Sequence, residues 1–156
     1  RAGQYQPSSW DTRHILNVIA SCPLGRNWNF AARWRWLGGA PYSPIDYALS
    51  SQKAALDIRN MAYMDYSRFN ALRLPSAHQL DVRIDREFYF PKWGLNLYLD
   101  VQNVYKAAYP MEPIYTNLDA QGQPATDPAD PSRYVLREIP SMAGTLVPTM
   151  GLMVKF

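Results

Sequence analysis

The chain has 156 residues, 47% hydrophobic and 13% aromatic, and a formal net charge of +3 from 16 basic and 13 acidic residues. That length supports one sizeable domain, and so mild and mixed a charge is not the footprint of a nucleic-acid binder. One cysteine, Cys22, excludes an intrachain disulfide, and no apolar run approaches the roughly 18 residues of a transmembrane helix. A β-barrel escapes that exclusion, because its strands are short and alternate. The 11 tyrosines and 5 tryptophans suit β structure, interfaces and membrane girdles. The chain opens on Arg1 without Met or a signal-peptide pattern. An exported protein needs such a signal, so the true N-terminus is expected upstream.

The first predicted elements form a hairpin. From His14 to Leu24, Leu16, Val18, Ala20, Cys22 and Leu24 fall on one side, with Ile15, Asn17, Ile19 and Ser21 on the other. Gly25-Arg26-Asn27 reads as a tight turn. The return strand sets Trp28, Phe30, Ala32, Trp34 and Trp36 against Asn29, Ala31, Arg33 and Arg35. A three-residue loop pairs Leu24 with Trp28 and keeps every even position on one apolar face.

Residues 38–77 then form a long connection, with a short helix expected over 46–59, where Ala48, Ala54, Ala55 and Leu56 favour it. The second hairpin repeats the first. Leu80, Val82, Ile84, Phe88 and Phe90 make an apolar row, interrupted by Arg86, opposite Asp81, Arg83, Asp85, Glu87 and Tyr89. After the Pro91-Lys92 turn, Trp93, Leu95, Leu97, Leu99 and Val101 continue the apolar face, and Asn96, Tyr98, Asp100 and Gln102 the polar one. A two-residue turn places Arg83 opposite Asp100, a favourable cross-strand pair. Residues 106–145 form a second long connection, and a last strand carries Met150, Leu152, Val154 and Phe156 on one face, with Val147, Thr149, Gly151, Met153 and Lys155 on the other.

A soluble sandwich shows the same alternation with its apolar face inside. Two features favour a membrane. The strands run about 10–13 residues, longer than the typical soluble strand of about 5–6 and near the roughly 9–11 that a membrane requires. Aromatics gather at the strand ends: Trp28, Phe88, Phe90, Trp93 and Phe156 at one level, Trp34, Trp36 and Tyr105 toward the other. Short turns alternate with long connections, as periplasmic turns alternate with extracellular loops. Long structureless loops are uncommon in compact soluble domains.

Several segments carry a family resemblance. Asp11-Thr12-Arg13-His14-Ile15-Leu16-Asn17-Val18, Trp34-Arg35-Trp36 and Gly39-Ala40-Pro41-Tyr42-Ser43-Pro44-Ile45 resemble the late strands of TonB-dependent outer-membrane receptors, particularly those of Bacteroidetes. So do Arg73-Leu74-Pro75, His78-Gln79-Leu80-Asp81-Val82-Arg83-Ile84-Asp85 and Leu97-Tyr98-Leu99-Asp100-Val101-Gln102-Asn103-Val104-Tyr105. The final Thr149-Met150-Gly151-Leu152-Met153-Val154-Lys155-Phe156 resembles a C-terminal barrel-assembly signal, with Thr149, Gly151, Val154 and Phe156 at its marked positions. The alternative is the last strand of a soluble β protein.

The resemblance implies an all-β, antiparallel transmembrane barrel of about 22 strands with a plugged lumen. This chain, residues 1–156, would supply about the last five strands and two long extracellular loops, the plug and earlier strands being absent from it. It implies import of a nutrient across the cell outer membrane with TonB-delivered energy, and no cofactor. The implied partners are outer-membrane lipid, the rest of the receptor, TonB through the missing plug, the barrel assembly machinery and a surface lipoprotein lid. The competing class is a soluble or surface β-protein with a ligand-binding or structural role.

An enzyme is not expected. His14 and His78 begin strands beside long loops, but no nucleophile motif surrounds Ser9, Asp11 and His14; rim hydrogen bonding is the plainer role. Asp119, Asp127 and Asp130 do not have EF-hand spacing and read as solvated turns. Arg33, Arg35, Asp81, Arg83, Asp85, Glu87 and Asp100 are expected to face the lumen, as a ladder of mutually satisfied charges or as contacts to substrate or plug. Tyr63, Tyr66, Arg68, Tyr115 and Tyr134 are candidate ligand contacts in the loops.

Overall fold

The computed structural model describes residues 5–156. In chain order the elements are β1 (Ile15–Gly25), β2 (Trp28–Leu37), β3 (Pro41–Tyr42), α1 (Tyr47–Ser50), α2 (Lys53–Arg59), a 3-10 turn at Tyr66–Arg68, β4 (Leu72–Arg73), β5 (Ala77–Tyr89), β6 (Gly94–Gln102), β7 (Tyr109–Thr116), β8 (Arg137–Ala143) and β9 (Val147–Lys155). They fall into two compact units. One comprises residues 13–38, 76–109 and 143–156; the other comprises residues 39–75 and 110–142 together with the segment ending at Thr12.

The first unit is an open five-stranded antiparallel sheet in the order β1-β2-β5-β6-β9. Each long strand predicted from alternation is present. One apolar row, Cys22–Phe30–Ile84–Leu99–Met150, crosses all five strands, and one register further on Ser21–Ala31–Arg83–Asp100–Thr149 crosses them on the opposite face. The first turn corrects the expected pairing. Gly25, not Leu24, pairs with Trp28, with a register shift between Pro23 and Gly25. Gly25, Arg26 and Asn27 all have positive φ, at 80°, 50° and 64°, so a two-residue turn closes the hairpin and Leu24 is bulged. The bulge sets Leu24 and Gly25 against one partner, which preserves the parity of both strands. In the second turn the Phe90 amide donates to the Trp93 carbonyl at 2.9 Å, and the two rings stack at 4.1 Å.

Burial runs against the usual order. Among the described residues the buried apolar side chains are Pro41, Leu56, Ala77 and Leu136, whereas Ser43, Ser50, Ser51, Asn70, Gln79, Asp81 and Asn103 are buried polar ones. The apolar face stays open, with Val18, Phe30, Leu97, Leu99, Met150 and Leu152 all exposed. Edge strand β1 is exposed on both faces.

The upper end of the sheet, away from its tight turns, is tied by Asn103. This residue is 4% exposed and holds φ +54°, a left-handed conformation that asparagine tolerates better than most residues. Its Nδ2 donates to the carbonyls of Ala107 (2.9 Å) and Thr145 (3.2 Å), and its Oδ1 accepts from the Ala107 amide (2.8 Å). Gly144 lies so close to the Ala107 carbonyl that a Cβ would collide with it.

The second unit holds more regular structure in the two long connections than the one short helix expected there. Residues 46–59 form two short helices rather than one: Asp46 caps α1 by accepting from the Leu49 amide at 2.9 Å, and the chain breaks at Ser51-Gln52 before α2. Pro41-Tyr42 pairs with Leu72-Arg73, and β7 pairs with β8. Pro110 and Pro113 obscure β7 in the sequence. Proline donates no ladder hydrogen bond, and a two-stranded ribbon accommodates it because each strand is an edge. Arg73 donates to the Asp11 carboxylate (2.5 Å) and to the carbonyls of Asp11 (2.7 Å) and Gly39 (3.0 Å).

Asn103→Ala removes three partly buried hydrogen bonds and the residue suited to positive φ. We expect a loss of about 1–3 kcal/mol, read as a lower urea midpoint, with Asn103→Asp intermediate because it keeps the acceptor. A midpoint unchanged in Asn103→Ala would show that this knot adds nothing to stability.

Candidate functional site

Because strand period and register are kept, the charged residues predicted for the lumen share one face of the sheet. Arg33 and Asp81 are direct cross-strand partners, and Nε and Nη2 of Arg33 reach one carboxylate oxygen at 3.1 and 2.7 Å. Asp81 is 6% exposed, so its charge must be met locally. Its other oxygen accepts from Gln79 Nε2 at 2.5 Å and from the Asn103 amide at 3.0 Å. Gln79 in turn accepts from the Tyr109 hydroxyl at 2.8 Å. Sequence reasoning missed Gln79, Asn103 and Tyr109, since the network that joins them spans residues 22 and 30 apart, Asp81 with Asn103 and Gln79 with Tyr109.

The expected Arg83–Asp100 ion pair is not made, although the two residues stand opposite each other. The Arg83 guanidinium turns along its own strand to Asp85, with Nη2 at 2.7 Å, and lies 4.1 Å from the centre of the Tyr98 ring. Asp85, two residues on and on the same face, accepts from both Nε and Nη2, a grip strengthened by the aromatic surface. Glu87 pairs with Lys155 at 3.3 Å and accepts from the Tyr89 hydroxyl. The ladder of satisfied charges is therefore incomplete. Among the described residues Asp100 makes no ion pair, and Arg35 keeps a buried Nε without a partner. Beside Asp100 a depression of about 220 Å³ is lined by Ile19, Ala31, Arg33, Asp81, Arg83 and Asp100 itself.

The four C-terminal positions divide between the faces. Thr149 pairs with Asp100 and Gly151 with Tyr98 on the charged face; Val154 pairs with Leu95 on the apolar one, and Phe156 is fully exposed beyond β9. Tyr98 lies across Gly151, and a Cβ there would strike its ring. The missing side chain thus makes room for the tyrosine that supports Arg83.

The other candidates have local duties. His14 stacks on Trp36 with ring centres 6.2 Å apart, and His78 Nδ1 lies 2.8 Å from the Tyr105 hydroxyl. Asp119, Asp127 and Asp130 accept from the amides of residues two ahead, at 2.9, 2.8 and 3.0 Å, the geometry of Asx turns.

In the second unit, Tyr63 donates to the Ala55 carbonyl at 3.2 Å and carries Arg59 over its ring, and Tyr134 carries Lys53. Tyr66 and Arg68 are exposed in the 3-10 turn. Tyr115, one of the five candidate contacts, lines a cavity of about 270 Å³ whose walls include Tyr42, Ile45, Met61, Met64 and Ile114, with Glu112. Burial, then Glu138, raises the Tyr115 pKa.

Two outcomes are expected. Gly151→Ala should cost about 1–3 kcal/mol by overpacking against Tyr98, and most of that loss should disappear when Tyr98→Ala is added. A double-mutant cycle in denaturant measures it, and additive losses would separate the two residues.

The second outcome concerns Asp130. Hydrogen bonds from Ser132 and the Arg133 charge hold its pKa below the ordinary 3.8. A carboxyl depressed on folding stabilises above its unfolded pKa, and that contribution is lost as pH falls through the folded value. Arg133 also reaches the Ala48 carbonyl and Ser51 Oγ, so the protection factors of the Ser132 and Arg133 amides, taken against the intrinsic exchange rate at each pH, should fall below that pH. Asp130→Asn should abolish this pH dependence, and a variant that kept it would assign the titration elsewhere.

No protein-family model, no curated protein and no solved structure matches this chain.

Proposed function

We propose that this chain is the C-terminal barrel section of a TonB-dependent receptor of the outer membrane, of the Bacteroidetes type, which binds a nutrient outside the cell and imports it with TonB-delivered energy. The observation that carries this reading is the uncovered apolar face. Rows such as Cys22–Phe30–Ile84–Leu99–Met150 run the full width of the sheet, and Phe30, Leu99 and Met150 are exposed. Contiguous apolar surface of this kind is unfavourable in water and is what a lipid-facing sheet presents. Aromatic residues at both ends of the strands agree with two interfacial girdles. The opposite face suits a lumen: its charges are largely paired, with Asp100 and Arg35 left to meet a plug or a substrate. Both tight turns lie at one end of the sheet, as periplasmic turns do.

The remaining partners follow from this reading: the earlier strands, a plug that contacts TonB, the assembly machinery acting on Thr149, Gly151, Val154 and Phe156, and a surface lipoprotein over the outer loops.

Paired arginine substitutions in the full-length protein test the membrane assignment. Leu99→Arg, mid-sheet on the apolar face, should cost about 2–4 kcal/mol in the bilayer and lower the amount in the outer membrane. Gln102→Arg, on the other face, should insert normally. Membrane fractionation and heat-modifiability on gels provide the measurement. Equal insertion of the two variants, or a protein soluble and monomeric without detergent, would overturn the reading. Uptake that persists without TonB would remove the transport mechanism while leaving the barrel.

A further inference from the structure

We propose that the apolar face carries a site for one anionic phospholipid, its phosphate held by Arg86 and an acyl chain lying along Ile84, Leu97, Leu99 and Met150. The inference rests on the membrane reading above. Arg86 is the single charge in the apolar row of β5, between Ile84 and Phe88. Its cross-strand neighbours are Trp28 and Leu97, neither of which offers an anion. Among the described residues it makes no ion pair. In hydrocarbon an arginine without a counter-charge is strongly unfavourable, so such residues pair or reach an interface.

The guanidinium is held, not splayed. Its central carbon lies 5.1 Å from the centre of the Trp28 ring and 4.7 Å from that of Phe88. Rings on its flanks occupy apolar and π contacts and leave N–H edges, the part of the group that matches a phosphate. Beside it runs a groove of about 370 Å³, walled by Trp28, Ile84, Phe88, Leu97, Leu99 and Met150. The axial order is that of a lipid. Phe88 and the Phe90–Trp93 turn lie on the side where a headgroup would sit, and Ile84, Leu99 and Met150 continue in the opposite direction toward the middle of the strands. The phosphate therefore belongs to the leaflet on the side of the tight turns, and the apolar walls call for a chain that free phosphate lacks.

Native mass spectrometry of the delipidated full-length protein in detergent tests this with equimolar phosphatidylglycerol and phosphatidylcholine, and with excess inorganic phosphate as competitor. Wild type should retain one phosphatidylglycerol with about tenfold preference over phosphatidylcholine, the scale of one charge-assisted contact. Arg86→Leu, which merges with the apolar row, should lose the preference, and Arg86→Lys should keep part of it. Trp28→Leu should weaken it. Equal retention of both lipids by wild type, an unchanged preference in Arg86→Leu, or displacement by inorganic phosphate would each overturn the site. Heat-modifiability of each variant separates the two readings: a barrel that inserts normally without lipid preference removes only the lipid site, whereas a protein soluble without detergent removes the membrane reading itself.

Discussion

A one-residue slip between β2 and β5 would move the apolar row of one strand onto the mostly polar face of the other, because side chains in a strand alternate between faces. The Arg33–Asp81 pair opposes that slip. Asp81 is buried and takes four hydrogen bonds, from Arg33, Gln79 and the Asn103 amide. Moving Arg33 by one position would leave a buried carboxylate without its cation, a loss well beyond that of an exposed pair. The same carboxylate also receives the backbone at the end of β6, so one side chain sets where β2, β5 and the chain after β6 meet. Everything the two faces present follows from that register.

The faces solve different physical problems. Polar groups that are buried here are hydrogen-bonded, with Arg35 Nε and Asn96 Oδ1 as the exceptions among the described residues. Apolar groups are for the most part left uncovered. In water that distribution forfeits the main stabilising term of folding; against lipid it is the economical one, since hydrocarbon solvates the apolar rows and a hydrogen-bonded sheet leaves few backbone groups unsatisfied within its interior strands. Arg86 is the one charge that breaks the apolar pattern of β5, and the Trp28 and Phe88 rings flank its guanidinium.

The second unit holds together by different means. Asp46, Asp65, Asp119, Asp127 and Asp130 accept from nearby backbone amides, so short polar caps replace long ladders. Ser50 and Ser51 are buried and hydrogen-bonded to Tyr63, Ala48 and Arg133. Arg133 joins α1 to the turn at Asp130. Such contacts shape a loop region with little apolar core, and they respond to acid in a way a hydrocarbon core would not.

The alternation of His14–Leu24, Trp28–Trp36, Leu80–Phe90, Trp93–Gln102 and Val147–Phe156 was sufficient to identify all five long strands, their two faces and the Arg83–Asp100 register, because period two is written in neighbouring residues. It did not reveal the bulge at Leu24, which depends on three successive positive φ values. Strands β7 and β8 were hidden by Pro110 and Pro113 and by the distance between the two partners. The second unit's cavity was also invisible, since Tyr42, Met61, Glu112 and Tyr115 come from three separate stretches of chain. What the sequence by itself determined was the pattern of each strand and the class of the fold. What only the tertiary structure decided was which groups meet: Arg83 with Asp85 rather than Asp100, Tyr98 over Gly151, and Asp81 with an arginine 48 residues away. Local periodicity follows from backbone geometry within a few residues, whereas these contacts depend on rotamers and on segments that become neighbours only after the chain has folded.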